Sequence, residues 1–302
     1  MKSLQTRTSR RIFSVLCALA LASLAGPGMA DNYPSKPIRI ISPSPPGGGT
    51  DAMSRLVASR LTETANWQVF VENVPGAGNN IGLRAGARAA PDGYTLVMGE
   101  TSNLAVNPYL YKSLDFSAVD DLVPVALMGS GPLVLVVRTG SRFDSLASII
   151  QAGKKSDLFY ASSGSGTVGH LVAESLRDAT GIKLQHIPYK GAGPAMNDLL
   201  GGQVDLYFAS LTASLPQIAA GKIRPLAVSS EKRHAALPQV ATLAELGFPS
   251  LTYTAFYGVV APARTPEGVL DLLNKQINNA KDTDEVRAVF AKQGITPQLI
   301  SR

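Results

Sequence analysis

Twice in this chain a β-branched run leads through a glycine-rich turn into a segment whose apolar residues keep helical spacing. Met53, Leu56, Val57 and Leu61 stand at i, i+3, i+4 and i+8, and Val168, Leu171, Val172 and Leu176 repeat that spacing. Each unit then continues strand, helix, strand, a pattern that builds parallel sheets covered by helices on both faces. Two such units without close sequence identity predict two α/β lobes. Strands are expected at residues 38–42, 68–72, 95–98, 123–128, 133–138, 158–161, 184–187, 204–208, 223–228 and 257–260. The first lobe is expected to hold residues 31–130 and the second residues 131–228. The segment 229–302 returns to the first, so two crossing strands form a hinge. Near its end Thr265 is expected as N-cap and Pro266 as the first residue of a helix that buries Val269, Leu272, Leu273 and Ile277.

The N-terminus has a different organisation. Lys2, Arg7, Arg10 and Arg11 precede an apolar run over 12–25, followed by Gly28-Met29-Ala30 with small residues where a signal peptidase reads. This is the layout of a secretory signal peptide, with cleavage expected after Ala30 and a mature protein in the periplasm. The run falls short of the roughly 20 apolar residues that span a bilayer. Ser9-Arg10-Arg11-Ile12-Phe13 also fits a twin-arginine signal, which leaves two export routes open. Cys17, the single cysteine, lies inside that run and lacks the small preceding residue of a lipoprotein site. A mature chain without thiols has no disulfide, thiolate metal site or thiol nucleophile, so its core must hold it together. Four of the 28 basic residues and none of the 22 acidic ones precede Asp31, which leaves 24 against 22. That near-neutral balance, without basic tracts, gives no footprint for nucleic acid or a membrane surface.

The chemistry is carried by strand-to-helix turns. Pro45-Pro46-Gly47-Gly48-Gly49-Thr50-Asp51 follows the first strand, and Ser162-Ser163-Gly164-Ser165-Gly166-Thr167 holds the matching place in the second unit. Glycines let the backbone approach a ligand, and a helix N-terminus presents unpaired N–H groups to an anion. Two such turns facing one cleft suit a ligand bearing carboxylates; two tight turns with ordinary caps are the bland alternative. Asn80, in the glycine turn 75–82, is a third candidate contact. Thr101-Ser102-Asn103 and Ser210-Leu211-Thr212 follow strand ends, where open α/β sheets place ligand contacts, and read equally well as plain caps. Lys190 is the one cation near a predicted strand end, with solvent the favoured surroundings.

Two enzyme readings compete. Gly164-Ser165-Gly166-Thr167-Val168-Gly169 matches the dinucleotide fingerprint, but the strand ending His186-Ile187-Pro188-Tyr189-Lys190 lacks the acid that would hold the ribose. Ser162, Ser163 and Ser165 cluster near His170, yet no G-x-S-x-G elbow occurs and no acid is placed to orient a histidine. His170 reads as a structural or ligand-facing side chain. No H-x-x-x-H occurs and carboxylates are scattered, so no metal site and no cofactor are expected.

Several stretches together resemble the Bug-type extracytoplasmic receptors of tripartite tricarboxylate transporters: Tyr33-Pro34-Ser35-Lys36-Pro37-Ile38-Arg39, Pro46-Gly47-Gly48-Gly49-Thr50-Asp51, and Asn73-Val74-Pro75-Gly76-Ala77-Gly78-Asn79-Asn80-Ile81-Gly82. Pro91-Asp92-Gly93-Tyr94-Thr95-Leu96, Tyr160-Ala161-Ser162-Ser163-Gly164-Ser165-Gly166-Thr167, Pro188-Tyr189-Lys190-Gly191 and the run 198–205 extend it over the mature chain. The resemblance implies a two-lobed periplasmic binding protein fold, type II-like, with two hinge crossovers and no catalysis. It implies a small organic acid as ligand (a di- or tricarboxylate or an aromatic acid), integral membrane transporter subunits as partners, and a monomer. A sensor of carboxylates in signalling is an alternative. Contacts are implied for Gly47, Gly48, Gly49, Asp51, Asn80, Ser163, Gly164, Ser165 and Thr167, with His170 and Ser102 beside them. The full candidate set adds Ser44, Pro46, Thr101, Ser162 and Ser210. Where the family carries an aromatic residue this chain has Ser44, which implies a larger or more polar pocket. Where an acid often follows Phe208 it has Ala209-Ser210, which tilts the expectation from amino acids toward plain organic acids.

Overall fold

The computed structural model describes residues 33–298; the signal-peptide reading and its cleavage site lie outside the described residues. In chain order the elements are β1 (Ile38–Ser42), α1 (Gly49–Ala65), β2 (Val69–Asn73), α2 (Asn80–Ala87) and β3 (Thr95–Glu100). A π-helical turn (Ser102–Val106) runs into α3 (Asn107–Leu110), and then come β4 (Leu122–Arg138), α4 (Leu146–Gly153), β5 (Leu158–Ser162), α5 (Val168–Thr180), β6 (Leu184–Pro188) and α6 (Ala192–Gly201). The chain continues with β7 (Leu206–Ser210), α7 (Leu211–Ala219), β8 (Ile223–Val228), β9 (Thr254–Pro262), α8 (Glu267–Lys281), α9 (Asp284–Lys292) and β10 (Thr296–Pro297).

The strands form one sheet in the order β2-β1-β3-β9-β4-β7-β5-β6, with β8 and β10 also paired to β4. It contains two parallel blocks. In the first, β1 lies between β2 and β3; in the second, β5 lies between β6 and β7. The antiparallel pair β9 and β4 joins them. The buried residues explain the order: Ile38, Ile40 and Ile41 of β1, at the centre of the first block, and Val134 to Val137 of the joining strand β4 have no exposed surface. Strands covered on both faces read as continuous apolar runs.

Strand β4 departs from expectation. Residues 123–128 and 133–138 read as two strands because Gly129, Gly131 and Pro132 punctuate the sequence, yet the strand runs unbroken through all 17 residues. The glycines serve a close approach instead. A Cβ on Gly129 would lie 2.5 Å from the Thr296 carbonyl oxygen, and one on Gly131 would lie 2.9 Å from that of Gly294. Strand β10 pairs there, Thr296 against Ser130 and Pro297 against Gly129. The terminal helix also shifts by one residue. Pro266 is its N-cap, and its carbonyl accepts from the Val269 and Leu270 N–H groups. The Thr265 hydroxyl donates backward to the Pro262 carbonyl at 2.8 Å, so it caps nothing. Of the expected stripe, Val269, Leu273 and Ile277 are buried; Leu272 is half-buried, and Leu270 takes its place.

The chain passes from the first block to the second along β4 at Gly131-Pro132 and returns between Val228 and Thr254. Buried Ser229 ties the two passages together. Its hydroxyl accepts from the Leu133 N–H (2.9 Å) and donates to the Tyr253 carbonyl (2.6 Å), while its own N–H donates to the Leu133 carbonyl and its carbonyl accepts from the Tyr253 N–H. Ser229→Ala leaves a buried N–H and a buried carbonyl each short of a partner. It is expected to lower the unfolding free energy by about 1–3 kcal/mol, read from urea unfolding, with an unchanged m-value.

Candidate functional site

The turns after β1, β3, β5, β6 and β7 gather around one cavity of about 60 Å³ at the carboxyl ends of these strands. That is room for about four to six water-sized groups. It is lined by Ser44, Gly48, Gly49 and Thr50 from the first turn and by Ser163, Thr167, Val168 and Gly169 from the second-block turn. Asn79, Glu100, Ser102, Gly191, Ala192, Ser210 and Tyr257 are among the residues that complete the wall.

Three helices begin at this wall, α1 at Gly49, α5 at Val168 and α6 at Ala192, and none of their N-caps (Gly48, Thr167, Gly191) carries a side-chain cap bond. A fourth helix at the wall, α7, is capped by its own Ser210, whose hydroxyl accepts from the Ala213 N–H at 3.3 Å. Away from the cavity Ser145 caps α4 and Thr283 caps α9, while α8 starts at Pro266 without a side-chain cap. A helix leaves its first N–H groups without intrahelical partners and carries a partial positive charge at that end. Three uncapped ends facing one small cavity therefore make an anion site. Glycine is required in the wall because the backbones are close: a Cβ on Gly49 would lie 2.3 Å from the Tyr257 hydroxyl oxygen, and one on Gly169 would lie 2.3 Å from the Phe208 carbonyl oxygen.

Among the sixteen candidates, Ser44, Gly48, Gly49, Ser102, Ser163, Thr167 and Ser210 lie at this wall. The other nine do not. Pro46 and Gly47 are exposed on the outer side of the first turn. Asp51 is buried and spent on structure: it accepts from the Gly47 N–H (3.2 Å) and the Asn73 amide (2.8 Å) and pairs with Arg55, which fixes the turn from behind. Asn80 also turns inward, its Oδ1 accepting from Asn107 Nδ2 at 2.9 Å. Its neighbour Asn79, with a left-handed φ of 73°, sends its side chain to the cavity instead. The Thr101 hydroxyl accepts from the Phe256 N–H at 2.8 Å. Gly164 and Ser165 line a neighbouring cleft of about 210 Å³, together with Gly78, Tyr111 and exposed Lys190.

Ser162 and His170 belong to a support behind the second turn. The fully buried Ser162 hydroxyl meets His186 Nε2 at 2.6 Å, the His170 Nδ1 accepts from the Gly166 N–H at 3.1 Å, and the two imidazoles stack with centroids 4.1 Å apart. Burial, and then the charge of His170, push His186 down to about 4. A histidine kept neutral in the fold but free to protonate in the unfolded chain costs nothing above its ordinary value near 6.5; stability is lost as pH falls from there toward 4. Urea unfolding at pH 7, 6, 5 and 4.5 is expected to show that decline, and His186→Gln is expected to flatten it.

The wall also holds groups that the sequence reading missed. Glu100, at the carboxyl end of β3, accepts from the Thr50 hydroxyl at 2.7 Å and from the Asn79 amide. Burial pushes its carboxyl above the usual range, opposed by bonds from Thr50, Asn79 and Ser102. Tyr257 stands directly opposite Glu100 in the β3–β9 register. The signal for Glu100 was an acid ending a buried apolar strand, the place where such sheets put ligand contacts.

The profile of the tripartite tricarboxylate transporter family receptor matches residues 53–301. The chain belongs to this receptor family. The receptor is 41% identical over 284 residues to the protein BugT of Bordetella pertussis, covering 93% of this chain and 87% of that one. An R. palustris protein solved with adipate superposes with a TM-score of 0.85 at 32% identity, over 88% of this chain and 89% of that one. MatC from Rhodopseudomonas palustris, solved with malate, gives 0.83 at 28% identity, over 88% and 91%. The fold is thus the two-lobed α/β fold of periplasmic solute-binding proteins, and the family is one of solute receptors.

Proposed function

We propose that this chain is a periplasmic receptor that closes on a small organic carboxylate and delivers it, as a monomer, to the integral membrane subunits of a tripartite transporter. The observation that carries the reading is the convergence of three uncapped helix N-termini on one cavity, at the strand ends where open α/β sheets take their ligands. The adipate and malate in the related structures are the same class of anion. The contacts assigned to the ligand are the N–H groups that begin α1, α5 and α6, with hydroxyls of Ser44, Ser102, Ser163 and Ser210 around them. In this reading the export signal is cleaved after Ala30. One lobe comprises residues 31–130 with 229–302, the other residues 131–228, and the hinge is the pair of passages joined by Ser229.

Closure has a mechanical basis. The first block meets the tip of the second-block turn: the Tyr111 hydroxyl donates to the Ser165 carbonyl at 3.3 Å, and a Cβ on Gly78, in the glycine turn 75–82, would lie 2.6 Å from that same oxygen. A ligand held by both turns favours the closed arrangement by its differential affinity for it.

Thermal unfolding of the mature protein against mono-, di- and tricarboxylates and aromatic acids tests the reading. A ligand bound only by the folded state at about 100 times its Kd adds about 2.7 kcal/mol, which moves the midpoint by several degrees. No shift with any carboxylate overturns it. Gly78→Val, which props the turns apart at a φ of +61°, is expected to weaken the active ligand by about tenfold or more while the unliganded protein stays folded.

A further inference from the structure

The charge balance of the cavity is unusual for an anion site. Among the described residues that line it, no lysine, arginine or histidine is found, and Glu100 is the one carboxylate. Its chemistry is therefore asymmetric: backbone N–H groups of three helices for a negative group, and a carboxylate for something else. Two negative groups in a cavity of about 60 Å³, without a cation between them, repel strongly at low dielectric.

The local bonds specify what that carboxylate faces. Asn79 donates to Oε1 and Thr50 donates to Oε2, so both oxygens already act as acceptors, as they do in an ionised carboxylate. The ionisable groups packed against Glu100 are Tyr257 on β9 and Tyr207 on β7; burial holds Tyr207 up at about 12 and Tyr257 higher still, so both stay neutral. The Tyr207 hydroxyl is engaged by Ser163, while that of Tyr257 lies against Gly49 at the wall. A carboxylate held by Thr50, Asn79 and Ser102, with no counter-charge among the described residues that line the cavity, is built for a cation that arrives with the ligand.

We infer that Glu100 is a specificity-determining residue that receives the ammonium group of a compact amino acid, whose carboxylate sits at the uncapped helix ends. The inference rests on the carboxylate-receptor reading above and narrows it to zwitterions. It reverses the expectation drawn from Ala209-Ser210: Ser210 lines the cavity as expected, but the acid comes from the end of β3. The proton balance gives a signature. Burial raises the Glu100 carboxyl and a bound ammonium lowers it, so amino acid binding is linked to proton release and strengthens as pH rises. An acid without the amine adds a second negative charge and needs Glu100 protonated, so its binding weakens as pH rises.

The experiment is calorimetric titration of wild-type protein and Glu100→Gln with matched pairs that differ by one amine: propionate and alanine, succinate and aspartate, glutarate and glutamate, at pH 6, 7 and 8. In wild type the amino member of at least one pair is expected to bind about tenfold or more tighter than its partner, with affinity that climbs with pH. In Glu100→Gln that preference collapses and the pH slope disappears. Wild-type protein that binds the amine-free members equally or better, with affinity falling as pH rises, overturns the assignment of Glu100 and leaves the carboxylate reading standing. Binding of none of these acids, nor of any carboxylate in the thermal panel, overturns both. The wild-type pairs decide the question even if the variant does not fold.

Discussion

Strand β4 carries the hydrogen bonds of both halves of this receptor: its first part is zipped to β9, its second to β7 and β8. A 17-residue strand paired to β9 along its first part and to β7 and β8 on its two edges along its second is hard to bend within its paired segments. The two glycines and the proline between them mark where its partners change. The position of every turn at the site follows from this, because both parallel blocks are referenced to the same strand. Ser229 completes the arrangement: two of its hydrogen bonds hold Leu133 of the first passage and two hold Tyr253 of the second.

The cavity applies the same economy to charge. Ser145 and Thr283 close the starts of α4 and α9 with their own hydroxyls, and Ser210 does the same for α7 at the cavity wall. At the other three starts around the cavity the caps are Gly48, Thr167 and Gly191, and the Thr167 hydroxyl is turned to the Gly164 carbonyl. The unpaired donors are thus left for an outside acceptor, and the supporting side chains (Asp51, Asn73, Ser162, His170, His186) face away and hold the turns in shape. The histidine stack in this support cannot take a proton cheaply, because burial disfavours the first imidazolium and a second one, with its ring centroid 4.1 Å away, would also be repelled.

Much of this was legible in the sequence. The i, i+3, i+4, i+8 spacing and the β-branched runs placed α1, α5 and most strands, because burial of one helix face and two strand faces writes a period into the chain. The two turns were found by their glycines for the same steric reason that the structure uses at Gly49 and Gly169. What failed was local and directional. Asn79 and Asn80 are adjacent and identical, and only the left-handed backbone of the first decides which side chain reaches the cavity. Glu100 sits one residue before the chosen Thr101, and strand alternation, not composition, points it inward. Gly129 and Gly131 looked like a break because the segment they make room for lies far along the chain.

That distance has a kinetic meaning. The edge of β4 at Ser130 is met by a residue 168 positions downstream, Gln298, whose amide donates to the Ser130 hydroxyl at 3.3 Å. Local contacts form early in folding, whereas loops of this length close late and slowly. The spine of the receptor therefore waits with an unpaired apolar edge until distant segments arrive, which makes its folding intermediates, rather than its native state, the species most exposed to strand-to-strand aggregation.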